Sequence, residues 1–162
     1  RRTYDIFAAY WPYAEGDNKP MSEAFTKAAK YVLTRSEQEL PWENSHRLSS
    51  IEEVAKLKQT QGPDLVIQGS STIYPGLLAA GLVDELVLMT FPLTLGRGKR
   101  MFGEGTPVER LEMTDHWVTD KGAVVATYRP AGPLPPYPAE APIPIISQRE
   151  LERRARIEVG TW

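Results

Sequence analysis

Residues 65–81, LVIQGSSTIYPGLLAAG, decide how the chain is read: an apolar run, three small residues, then helix-forming sequence that stops at a glycine. Leu65 to Ile67 is continuously apolar, the pattern of a strand buried on both faces, and Gly81 stands where a helix C-cap is expected. Val83 to Phe91 is strand-like again, which makes a strand, helix, strand unit of the crossover length that parallel pairing requires. The expectation is an α/β fold. Gly69, Ser70, Ser71 and Thr72 supply small bulk and three hydroxyls at a helix head, where unpaired N–H groups and the positive dipole end favour an anion. A tight turn at Gly69 with a serine cap accounts for the same residues, because one glycine is far from a dinucleotide fingerprint.

Upstream of this unit, Tyr4, Phe7, Ala8 and Trp11 recur at the spacing of one helix face, and Pro12 ends that helix. A helix over Met21 to Lys30 follows, then strands at Tyr31 to Leu33 and His46 to Leu48. Ser50 caps a helix carrying Ile51, Val54 and Leu57, with Glu53 completing a capping box. Downstream, the loop TLGRGKRMFGEGTP (94–107) leads to strands at Leu111 to Met113, His116 to Thr119 and Ala123 to Tyr128, with Gly122 as a turn.

Composition limits the function classes. The 162 residues are 41% hydrophobic and 25% charged, usage that fits one ordinary globular domain. A net charge of -2 gives no global reason to expect nucleic acid. No apolar run approaches the ~20 residues of a membrane-spanning helix, and the lack of cysteine suits a reducing, cytoplasmic compartment. Seven of the 14 prolines fall between Pro130 and Pro144, so that segment reads as an extended arm. Beyond it, Ser147 and Glu150 head a short terminal helix, SQRELERRAR. Ile143, Ile145, Ile146, Leu151, Ile157 and Trp162 give this tail an apolar content suited to wrapping a second subunit.

Further segments point to anions. Arg1 and Arg2 stand at a helix start, where the dipole disfavours cations unless an anion neutralises both; solvated terminal charges are the plainer alternative. Thr34, Arg35 and Ser36 follow a strand, at the carboxyl edge where α/β sheets bind ligands. Gly96 and Gly98 permit a sharp loop whose Arg97, Lys99 and Arg100 meet either a substrate phosphate or solvent. His46 and His116 are the only histidines and form no ligand pair, so no metal is expected.

Taken in order, RRTYD (1–5), YVLTRS (31–36), VIQGSSTIY (66–74) and LVDELVLMTFPLTLGRGKRMF (82–102) resemble the dihydrofolate-reductase-like family, in the branch of the C-terminal reductase domain of bacterial riboflavin biosynthesis. The resemblance covers residues 1–130 as a reductase domain, with 131–162 as proline-rich arm and helix. It implies a three-layer αβα fold around a mixed, mostly parallel central sheet. It also implies NADPH as cofactor and a homodimer. Arg2 and Thr3 would contact the pyrophosphate region, Arg35 and Ser36 the adenosine 2'-phosphate, and Gly69, Ser70, Ser71, Thr72 and Ile73 the pyrophosphate, with Thr34 also on the cofactor side. Gly96, Arg97 and Lys99 would face the substrate. The implied reaction is hydride transfer to a pteridine- or pyrimidine-like substrate, as in a 5-amino-6-(5-phosphoribosylamino)uracil reductase; a noncatalytic nucleotide-binding or interaction protein on this fold is the alternative. The family places a strand of the type S-L-D-G-Y-I-A, and a further helix and strand, ahead of RRTYD. Its usual substrate-side carboxylate lies there, so no catalytic residue is named. The expectation is that these residues are the downstream part of a longer polypeptide whose missing strands lie inside the sheet.

Overall fold

The structure, a computed structural model, describes residues 1–136 and 147–160. The part of the proline-rich arm at 137–146, with Ile143, Ile145 and Ile146, lies outside the described residues, as does Trp162.

Two small cores organise the chain. The first forms because helix α1 (Arg2–Tyr10) turns its periodic residues onto helix α2 (Lys19–Lys27) and strand β1 (Lys30–Leu33). Tyr4, Val32 and Trp42 are buried there, with Phe7, Ala8, Trp11, Phe25 and Leu40 packed around them. Trp11 meets Phe25 edge-on at 4.8 Å between ring centroids, and the Trp42 backbone N–H donates to the Tyr4 hydroxyl at 3.0 Å. Each such side chain taken fully out of water contributes about 1.5–3 kcal/mol. Pro12 falls in a 3-10 turn, Trp11–Tyr13, that ends α1. The end of α2 is held by Lys30, whose ammonium donates to the carbonyls of Phe25, Thr26 and Ala28 at 2.9, 2.9 and 2.7 Å and lies 4.5 Å from the Trp42 ring centroid.

Strand β1 pairs in parallel with β2 (Ser45–Leu48), placing Val32 opposite Arg47 and Tyr31 opposite His46. Helix α3 (Ile51–Lys58) follows. Its acidic residue works one position away from the expected box: the Glu53 carboxylate accepts the backbone N–H of Ser49, at 2.6 Å.

The second core lies around helix α4 (Tyr74–Ala79) and strand β3 (Leu86–Thr90). Tyr74, Leu78 and Leu86 are buried, with Val83, Met101, Leu111 and Tyr128 against them. Lys58 joins α3 to this region by donating to the Leu82 carbonyl at 2.9 Å and pairing with Asp84. Strands β4 (Leu111–Val118) and β5 (Val124–Pro130) complete an antiparallel sheet of order β3-β5-β4. The two short strands expected at 111–113 and 116–119 are one strand, with a register shift between Met113 and Asp115.

Two expectations are corrected. The sheet is not one mostly parallel layer: the described strands form a parallel pair and a separate antiparallel trio. Leu65 to Ile67 forms no strand, and Val66 is 78% exposed. A strand exists through its ladder partners, and β3 pairs with β5 instead of with this run, so apolar content alone did not make one. Val87 and Met89 on β3, and Phe91, Leu93 and Leu95 in the loop that follows it, are exposed. Helix α5 (Gln148–Glu158) has its N-terminus capped by the Ser147 hydroxyl, which accepts the Glu150 N–H at 3.2 Å. No helix among the described residues is long and apolar enough to cross a membrane.

Candidate cofactor site

A pair of hydroxyls links the start of α1 to the turn before α4. Thr3 lies in the first turn of α1, one residue before the buried Tyr4, and Ser70 precedes the turn that leads into α4. The Ser70 hydroxyl donates to the Thr3 hydroxyl oxygen at 3.0 Å. This contact unites two of the segments that the sequence marks for a dinucleotide.

The backbone at this point is unusual. Gly69 has φ +66° and Ser70 has φ +58°, two successive left-handed residues. Glycine adopts that conformation freely, whereas for a residue with a Cβ it costs about 1–2 kcal/mol. Ser71–Ile73 then form a 3-10 turn, closed by the Ile73 N–H on the Ser70 carbonyl at 3.0 Å, before α4 begins at Tyr74. Ser70 therefore orients the turn through its backbone, and its side chain makes no helix cap. A Cβ built on Gly69 would come no closer than 3.9 Å, to the Thr3 hydroxyl, so the glycine is required by its dihedrals and not by crowding within the protein. Gly69 and Thr72 are exposed, while Thr3, Ser70, Ser71 and Ile73 are half-buried.

The second segment leaves the end of β1. Thr34 extends the ladder by donating its N–H to the Leu48 carbonyl at 2.9 Å. Its hydroxyl accepts the Ser36 N–H at 3.1 Å, and the Ser36 hydroxyl accepts the Gln38 N–H at 3.2 Å. These side-chain turns set the loop, and each hydroxyl keeps its own hydrogen for a further acceptor. Arg35 is exposed between them.

The start of α1 links both segments. The Arg1 guanidinium donates to the Asp5 carboxylate at 2.8 and 3.1 Å, and to the carbonyls of Gln38 and Glu39 at 3.2 Å each. Its charge is thus matched within the protein, which corrects the reading that both leading arginines await an anion. Arg2 is exposed.

The third segment is not brought in. Gly96, with φ +70°, Arg97 and Lys99 lie in an exposed loop, and no hydrogen bond between described residues ties them to Thr3 or Ser70. The loop returns to the second core at Met101. A groove of about 500 Å³ is lined elsewhere, by Pro12, Lys19, Ser22, Thr26 and Asn44 among others, and no residue of the three segments borders it. Among the described residues no three of His, Cys, Asp or Glu gather as metal ligands would.

One residue of this region escaped the sequence. Arg47 sits on β2 and donates to the Gln38 carbonyl at 2.7 Å, the same oxygen that Arg1 uses. A charged residue opposite the buried Val32 was the signal available, in a strand too short for its pattern to be informative.

Residues 4–125 match the family described as the RibD C-terminal domain. The chain belongs to that family. This RibD C-terminal domain is 29% identical over 131 residues to the Bacillus subtilis (strain 168) protein named "Uncharacterized protein YyaP", covering 79% of the present chain and 70% of that protein. It also resembles the crystal structure of a "Putative riboflavin biosynthesis protein" from Shewanella sp. PV-4, with a TM-score of 0.54 and 23% identity over 71% of this chain and 70% of the other. That second likeness is one of fold. The family match spans Thr34 to Ser36 and Gly69 to Ile73, and begins one residue after Thr3.

Proposed function

We propose that this RibD C-terminal domain is an NADPH-dependent reductase that delivers hydride to a pteridine- or pyrimidine-like substrate, within the chemistry of riboflavin biosynthesis. The observation that carries the reading is the Ser70 to Thr3 hydrogen bond, which joins the head of α4 to the start of α1 in a protein of this family. The residues present fit the cofactor: Gly69 and Ser70 are two successive left-handed residues, and an exposed Arg35 precedes Ser36 in the loop after β1. Gly69, Ser70, Ser71, Thr72 and Ile73, with Arg2 and Thr3, would hold the pyrophosphate, and Thr34, Arg35 and Ser36 the 2'-phosphate. When bound, the nicotinamide supplies the hydride. The protein's part is then to hold and orient, and for a substrate phosphate the exposed Arg97 and Lys99 loop at Gly96 offers cations.

In this proposal residues 1–130 are the reductase domain, residues 131–162 serve assembly as a homodimer, and the protein works in the cytoplasm. The test is a titration of the full chain with NADPH, followed spectroscopically, with and without an added pterin or aminouracil. Binding with consumption of NADPH on adding one of these substrates is expected. Binding without consumption by any of them would place the chain among noncatalytic nucleotide-binding proteins, and no binding would overturn the cofactor assignment.

A further inference from the structure

We propose that Arg47 is a positioning residue for cofactor selection: from β2 it clamps the Ser36–Glu39 loop at the Gln38 carbonyl so that Arg35 and Ser36 are presented to the 2'-phosphate. This rests on the NADPH reading above.

Stability alone gives no reason for a guanidinium at this position. Arg47 lies opposite Val32, which is 4% exposed and part of the first core, and its Nη1 is buried without a hydrogen-bond partner. Burying a polar N–H without an acceptor is unfavourable, and an unbranched apolar side chain of similar length would suit that strand face better. What the guanidinium does accomplish is one long-range bond. Its Nη2 donates at 2.7 Å to the carbonyl of Gln38, nine residues upstream, tying the loop to β2 while Arg1 ties it to α1. The loop so held contains the Thr34 to Ser36 and Ser36 to Gln38 side-chain turns. Those turns decide where Arg35 and the Ser36 hydroxyl hydrogen point. Arg1 is neutralised by Asp5, and no carboxylate among the described residues forms an ion pair with Arg47. Its positive charge therefore remains to favour an anion at the loop.

The experiment compares wild type, Arg47→Met and Arg35→Ala as full chains. Three quantities are read: the dissociation constants for NADPH and NADH, amide hydrogen exchange at Ser36 and Gln38 without cofactor, and the thermal midpoint. For Arg47→Met the thermal midpoint is expected to be retained or raised, exchange at those two amides to quicken, and the preference for NADPH over NADH to fall about three- to tenfold. Arg35→Ala is expected to lose the preference with unchanged exchange. Unchanged exchange or an unchanged preference in folded Arg47→Met overturns the clamp. An unchanged preference in Arg35→Ala overturns the 2'-phosphate assignment itself, and the clamp's role in selection with it. Should Arg47→Met fail to fold, Arg47→Gln, whose polar end is too short to span to the Gln38 carbonyl, carries the same readouts with the same decisions.

Discussion

Ser70 and Thr3, 67 positions apart in sequence, share a hydrogen bond of 3.0 Å, and through it the turn before α4 is seated on the first residues of α1. Ser70 holds a left-handed conformation to do so, at φ +58°.

The strain makes the first prediction. Ser70→Gly is expected to change stability by less than about 1 kcal/mol, because relief of the left-handed conformation offsets glycine's extra chain entropy. Gly69→Val places a β-branched residue at φ +66° and is expected to destabilise by about 1–3 kcal/mol. Both variants are expected to weaken NADPH, the first by loss of a hydroxyl and the second by occupying space at the turn. Denaturant titration beside cofactor titration checks this; undiminished NADPH affinity in both would reduce the turn to a structural element.

Arg35→Ala is expected to weaken NADPH by about 1.5–3 kcal/mol, the worth of a charge-assisted contact, and to leave NADH nearly unchanged. Equal losses for the two cofactors, measured by fluorescence titration, would remove Arg35 from the 2'-phosphate.

Lys30 offers a test of the first core without any ligand. Its ammonium satisfies three carbonyls at the end of α2, so Lys30→Met, which preserves the stem and deletes the donor, is expected to cost about 1–3 kcal/mol. Chemical denaturation monitored by the Trp42 environment is the measurement, and a loss below about 0.5 kcal/mol would show that water replaces the ammonium there.

Glu150 sets a pH dependence. Hydrogen bonds from Arg153 and Arg154 hold its carboxyl at about 2, below the usual carboxylate value of 4.5. A depressed folded value means that the favourable contribution is fully present above pH 4.5 and is lost as pH falls toward 2. NMR titration of the Glu150 side chain is expected to show a midpoint near 2, moving upward in Arg154→Ala. A midpoint near 4.5 in the wild type would remove the two arginines as its partners.

Truncation after Pro130 is expected to weaken a homodimer measurably in sedimentation velocity. An association constant the same with and without residues 131–162 would remove the tail from the interface.

Local patterns carried most of the fold. The Tyr4, Phe7, Ala8, Trp11 spacing placed α1, and Ser147 marked the head of α5, because each signal is read within one or two turns of helix. The failures have a common cause. Leu65 to Ile67 looks like a buried strand by composition, but pairing is a property of two segments, and β3 found β5. Of the candidate site, the turn at Gly69 and the helix after it were legible, while the contact of Ser70 with Thr3 was not, since no periodicity links residues so far apart. Arg47 was illegible for the opposite reason: four residues of strand are too few to show which face is the buried one.

The distance in sequence between Thr3 and Ser70 has a kinetic consequence. Strands β1 and β2 pair across 15 positions and β4 and β5 adjoin through a short turn, so these contacts close small loops, whereas the hydroxyl pair must close a loop of 67. Loop-closure entropy grows with the logarithm of length, and contacts of large separation are rewarded only after local structure has formed. The contact of Ser70 with Thr3 is therefore expected to form late in folding. Substitutions at Thr3 and Ser70 are expected to change how fast the native protein opens and to leave the speed at which it folds almost untouched, which a chevron plot of each variant checks. The turn before α4 and the first residues of α1 are then expected to separate before either core opens.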